Sequence, residues 1–121
     1  MTPINITLNQ KSRILEITWP DDEVHQLSCE YLRVSSPSAE VQGHGPGQEK
    51  LQLGKENVNI NAIEPVGNYA LKLVFDDNHD SGLFSWSLLR EMGDNKDANW
   101  AEYLRKCDEA GYERKEEGQV I

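Results

Sequence analysis

Val58-Asn59-Ile60-Asn61-Ala62-Ile63-Glu64-Pro65-Val66-Gly67-Asn68-Tyr69-Ala70-Leu71-Lys72-Leu73-Val74-Phe75 is the stretch that decides the fold class. Apolar and polar residues alternate from Val58 to Ala62, and the ordered run continues to Val66. Gly67-Asn68 is a two-residue hairpin signal, because both residue types tolerate the positive φ of a tight turn. Beyond it Tyr69, Leu71, Leu73 and Phe75 recur at every second position and fall on one face of a strand. The pattern predicts an antiparallel hairpin with one buried face.

Towards the N-terminus a second hairpin is expected. Residues 4–8 and 13–19 read as strands, and in the latter Leu15, Ile17 and Trp19 alternate with Glu16 and Thr18. Pro20-Asp21-Asp22 supplies a turn before Val24 to Leu27. Ser28 is placed to cap a short helix carrying Tyr31, Leu32 and Arg33. Residues 35–57, rich in Ser, Gly and Pro, then predict a long loop, and long loops in small domains tend to carry function.

Towards the C-terminus, Asp76 to Gly82 reads as a polar turn. Phe84, Ser85 and Leu89 match a hydrophobic staple around an N-cap, opening a helix that Gly93 closes. Trp100, Tyr103, Leu104 and Cys107 follow the i, i+3, i+4, i+7 spacing of a last helix, with Asp97 at its start and Gly111 at its end. Cys107 is then a core residue and no nucleophile. The predicted fold is α+β: a small antiparallel sheet of about five strands from two hairpins, with two or three helices packed on one face. One domain is expected over residues 1–112, and 113–121 reads as a flexible charged tail.

The net charge of −9 repels phosphate backbones and anionic membrane surfaces, so neither nucleic acid nor membrane is an expected partner. Nothing at the N-terminus has the basic start and apolar run of a signal peptide, and a cytoplasmic or similarly reducing setting is expected. Cys29 and Cys107 are then expected to stay reduced, although one bridge is arithmetically open. No nucleophile elbow, zinc-protease motif or phosphate-binding loop is present, and no catalytic residue is assigned.

Two loops concentrate chemistry. Phe75-Asp76-Asp77-Asn78-His79-Asp80-Ser81-Gly82 places three carboxylates and an imidazole in one turn, donors suited to iron(II), zinc or manganese. The same composition also makes an ordinary Asx-rich turn. Gly43-His44-Gly45-Pro46-Gly47 offers a second histidine and backbone N–H groups open to an anion. The metal-ligand candidates are His79, His44, Asp76 and Asp80. His25 is expected to be structural or merely exposed.

Leu15-Glu16-Ile17-Thr18-Trp19-Pro20-Asp21-Asp22, Tyr31-Leu32-Arg33, Ser36-Pro37-Ser38-Ala39-Glu40-Val41, Gly43-His44-Gly45 and the segment from Phe75 through Ser85-Trp86 together carry a resemblance. Over about residues 4–92 the chain resembles the gamma-butyrobetaine-hydroxylase-like N-terminal domain family, long described as a domain of unknown function. In the carnitine-pathway dioxygenases this domain precedes the catalytic jelly roll and resembles a small structural zinc module. Its zinc is held by three cysteines after a Trp-Leu-Arg segment and by one histidine in a later turn. The resemblance puts Ser36, Ser38 and Val41 at the cysteine positions and His79 at the histidine. It therefore implies that the three-Cys-one-His zinc site is lost here. The family's association with iron–sulfur carrier ATPases makes a link to metal handling an implication of the same kind.

These residues are compatible with three functions. The first is a non-catalytic accessory module docking on a protein partner through the 35–57 loop, with Arg33, Ser36, Gly43, Gly45 and Trp86 as contact residues. The second is a divalent-metal-binding protein using His79 and His44 with Asp76 or Asp80, iron or zinc being the cofactor. The third is a small enzyme using His79 and Asp80 as an acid–base pair.

Overall fold

A computed structural model describes residues 1–115 of the chain. β1 (Asn5–Asn9), β2 (Ile14–Thr18) and β3 (Val24–Ser28) form one antiparallel sheet in the order β1-β2-β3. Ile17 pairs with Ile6 and His25, and Leu15 with Leu8 and Leu27, so the alternation of β2 sends Leu15 and Ile17 into the interior. α1 (Cys29–Val34) starts where β3 ends, and Ser28 Oγ accepts the Tyr31 N–H at 3.0 Å, the cap expected from the sequence.

α2 (Ala39–Gln42) is a single helical turn inside the 35–57 segment, where only a loop was expected. β4 (Ile60–Val66) and β5 (Ala70–Phe75) are the predicted central hairpin. Val66 pairs with Ala70, so the turn spans three residues and not the two expected. Gly67 takes φ +55° there, and a Cβ on it would stand 2.9 Å from the Tyr69 ring. Tyr69 consequently lies in the turn and stays 56% exposed, while Leu71, Leu73 and Phe75 are buried as expected.

β6 (Leu83–Ser85) pairs with the other edge of β5, a strand too short for periodicity to reveal. The expected sheet of about five strands is thus corrected to two three-stranded antiparallel sheets, β1-β2-β3 and β4-β5-β6. Each hairpin recruits its own third strand, and no ladder joins the two. One core joins them instead: Leu15, Ile17 and Leu27 of the first sheet pack in the same cluster as Ile60, Leu71, Leu73, Phe75 and Phe84 of the second.

Among the described residues there are four helices where two or three were expected. Ser85 caps α3 (Trp86–Asp94) by accepting the Leu88 N–H at 3.1 Å, and the staple residues Phe84 and Leu89 are fully buried. Gly93 does not close this helix, which runs on to Asp94. Its missing side chain serves the packing: a Cβ there would meet the His25 ring at 2.1 Å. α4 (Lys96–Glu109) has Asn95 at the cap position and Asp97 in its first turn. Gly111, at φ +73°, ends it in a Schellman motif: the Gly111 N–H reaches Asp108 O and the Tyr112 N–H reaches Cys107 O. Of the expected tail, residues 113–115 lie against the body and 116–121 lie outside the described residues.

Candidate functional site

The 75–82 turn and the start of the 35–57 segment meet at His79. The turn after β5 is tied by Asn78 N–H to Phe75 O, and Asn78 sits at φ +70°, which Asn tolerates better than most residues. This turn carries the His79 ring inward, against Phe75, and leaves it 4% exposed. Its Nε2 lies 2.8 Å from Ser36 Oγ and 3.3 Å from Ser38 Oγ. Its Nδ1 lies 3.0 Å from Glu40 Oε2. A carboxylate only accepts, so the Nδ1–H donates to Glu40, and in the neutral ring Nε2 receives a serine hydroxyl. Ser36 is fully buried and Ser38 is 6% exposed. Gln42 Nε2 donates to Ser36 O at 2.9 Å, which holds α2 against the same cluster.

A Ser–His–Glu chain has the composition of a hydrolytic triad, but its burial is inverted. In a working triad the serine faces the substrate and the acid is inside. Here the serine is sealed, and the Glu40 side chain is 70% exposed. The Gly82 backbone closes over Ser36 so tightly that a Cβ at 82 would lie 2.4 Å from Ser36 Oγ. No substrate atom fits between them.

A second polar cluster anchors the far end of the loop. Arg33 is buried in α1 and its Nε donates to Asp77 Oδ2 at 2.9 Å; Lys55 Nζ reaches the same oxygen at 2.7 Å. Arg33 Nη1 is buried with no hydrogen-bond partner among the described residues. Burial raises the Asp77 pKa, but hydrogen bonds from Lys55 and Arg33 outweigh it and hold the carboxyl below its ordinary range. Asp77 Oδ1 also accepts the His79 N–H at 3.3 Å, coupling the two clusters.

The expected metal-ligand set is not assembled. Only His79 points inward, and both its nitrogens are engaged. Asp76 accepts the Asn59 N–H at 3.1 Å, and Asp80 lies 3.8 Å from Lys72 Nζ. His44 is exposed on its own loop. Among the described residues no group of three or more His, Cys, Asp or Glu side chains could hold a metal ion. The physical reason is local: a short Asx-rich turn spends its carboxylates on nearby backbone and lysine.

The set implied by the family resemblance fares differently. Ser36, Ser38 and His79 do converge, and Val41 is buried in the adjoining turn of helix. Hydroxyls are poor zinc donors and valine is none, so the residues present do not fit the family's zinc. In this chain those positions hold a hydrogen-bonded cluster around His79. Sequence reasoning missed Glu40 and Lys55, whose only signal was a charge beside each end of a suspect loop.

Of the other expected contact residues, Trp86 donates its Nε1–H to Asn68 O at 2.7 Å at the start of α3. Gly43 takes φ +73° with the Gln48 backbone 2.2 Å from where a Cβ would stand, so glycine is required there. Gly45 faces open space. Both cysteines are free and buried, and burial pushes the Cys29 thiol up to about 11. His25 is not exposed: it accepts the Trp19 Nε1–H at 2.9 Å and lies 3.2 Å from Asp94.

Solved structures of similar proteins share this architecture. A solution NMR structure is 48% identical, covering 99% of this chain and 94% of its own, with a TM-score of 0.82. A second is 46% identical, covering 99% and 92%, with a TM-score of 0.79. A crystal structure from Acidithiobacillus ferrooxidans, of a protein of unknown function in the DUF971 family, is 35% identical over 76% of this chain and 92% of that one, with a TM-score of 0.65. No curated protein matches. The profile described as gamma-butyrobetaine hydroxylase-like, N-terminal, matches residues 6–90, and the chain therefore belongs to that family.

Proposed function

We propose that the protein is a non-catalytic accessory module that docks on a protein partner through the 35–57 loop. The observation that carries this reading is how the loop is held. Polar clusters pin it at both ends, the buried Ser36 and Ser38 on His79 at one and the half-buried Lys55 on Asp77 at the other. Between them Leu51 and Leu53 are each 38% exposed, and His44 faces solvent. A groove of about 600 Å³ runs beside Leu51, between the loop and Tyr103 of α4. An anchored loop that presents apolar side chains beside a groove has the form of a docking surface, since ordering it on binding costs little entropy. The family's association with iron-dependent hydroxylases and iron–sulfur carriers directs the search for the partner to proteins that handle iron.

The test is affinity capture from the native host with wild-type protein and with a Leu51→Ser/Leu53→Ser variant shown by NMR to be folded. A partner retained by the wild type and lost by the variant supports the reading. Equal retention by both removes the loop as the docking surface.

A further inference from the structure

A second charged site lies away from His79, where α1 meets α4. Glu30 is 7% exposed on α1, an unusual place for a carboxylate. Arg114 meets it with a fork: Nε donates to Oε2 at 2.9 Å while Nη2 donates to Oε1. The same guanidinium lies 5.0 Å over the Trp100 ring, which stacks on Tyr103 and meets Tyr31 edge-on. Glu56 is the second acid of this site and takes the Tyr112 hydroxyl at 2.6 Å and the Lys115 N–H at 2.8 Å. A cavity of about 490 Å³ adjoins, bounded by Lys11, Arg13, Glu30, Glu56, Trp100 and Arg114.

The segment filling this socket is a strap and not a packed element. It leaves α4 at Gly111, and its side chains alternate inward at Tyr112 and Arg114 and outward at Glu113 and Lys115. Tyr112, Arg114 and the Lys115 N–H reach the socket's acids and ring. Glu30 lies inside the family-matched segment 6–90, whereas Arg114 lies beyond it. The acid comes from α1, and its cation from the strap after α4.

We infer that the Glu30–Glu56–Trp100 socket is a recognition site for an arginine-bearing peptide segment of a partner protein, occupied in this chain by its own strap. Carboxylate plus indole selects guanidinium over ammonium, because only the planar fork satisfies both oxygens while stacking on the ring. The net charge of −9 draws cationic segments towards the molecule. A partner segment binds by displacing Tyr112 and Arg114, and water meets the acids during the exchange. This site is independent of the 35–57 docking surface.

Arg114→Ala in the full chain removes the strap's own guanidinium from Glu30 and Trp100, and the probe is the acetylated, amidated peptide Gly-Tyr-Glu-Arg-Lys, copied from the strap. NMR of the variant should show saturable shifts at Trp100, α1 and Glu56. Wild-type protein should bind the peptide about tenfold more weakly or worse, because its own strap competes. A peptide with alanine for arginine should not bind. The inference is overturned by an Arg114→Ala chain that fails to fold, since the strap is then part of the core. It is equally overturned by no saturable shift at millimolar peptide, or by equal binding to wild type and variant.

Discussion

The His79 cluster and the Glu30 socket both tie an irregular segment to the body through a buried polar group, but water stands differently towards them. At His79 the two serines arrive from one segment and are closed over by the Gly82 backbone, so solvent cannot replace a lost Ser36 or Ser38 bond, and only Glu40 reaches water. At Glu30 the partner is Arg114 on a strap, and when it leaves, the cover leaves with it. A buried polar group is costly to orphan only where water cannot reach it. The first cluster is therefore a structural latch, and the second can open.

The largest test of this contrast is His79→Ala. It leaves the Ser36 and Ser38 hydroxyls sealed without their acceptor and opens a cavity, and should cost about 3 kcal/mol in denaturant unfolding. A cost under about 1 kcal/mol would mean that the cluster is solvent-accessible after all. Gly82→Ala forces a methyl against Ser36 Oγ and Pro37, and should cost about 2 kcal/mol by the same measurement.

Asp77→Asn tests the other anchor of the loop and should cost about 1.5 kcal/mol at neutral pH. Because the folded carboxyl titrates below its ordinary value, its contribution is present above that value and is lost as pH falls through the folded one. The difference between wild type and variant should therefore shrink below about pH 3.9, read from urea midpoints across an acid series. Arg114→Ala should cost least, about 1 kcal/mol, since Glu30 is rehydrated when the strap lifts. A thermal melt showing a loss as large as that of His79→Ala would erase the distinction between the two sites.

Much of the fold was legible because its signals are local. Ser28 and Ser85 announced their caps, Leu15 and Ile17 announced a buried strand face, and Gly111 announced a helix end. The division into two sheets was not legible, because β6 is three residues long and its pairing with β5 is a tertiary choice. Gly93 misled for a similar reason: a glycine near a helix end reads as a stop, while here it makes room for the His25 ring. At the site, composition singled out His79, but not the residues its ring bonds to. Proximity in sequence favoured Asp76 and Asp80, whereas the bonds go to Ser36, Ser38 and Glu40, 39 to 43 residues away. The family pattern did place Ser36 and Ser38 opposite His79, since a ligand set records spatial contact that composition cannot.

At the heart of the molecule, hydroxyls and a carboxylate occupy His79 where the family would place a metal. This is checked by side-chain ¹⁵N NMR of His79 in chelator-treated protein as zinc is added, with Ser36→Cys/Ser38→Cys/Val41→Cys as the comparison. The wild type should show an Nδ1–H ring whose signals stay unmoved at equimolar zinc, and the variant should take up zinc stoichiometrically with shifted His79 signals. Stoichiometric displacement of the wild-type His79 signals by zinc would contradict a latch closed by hydrogen bonds.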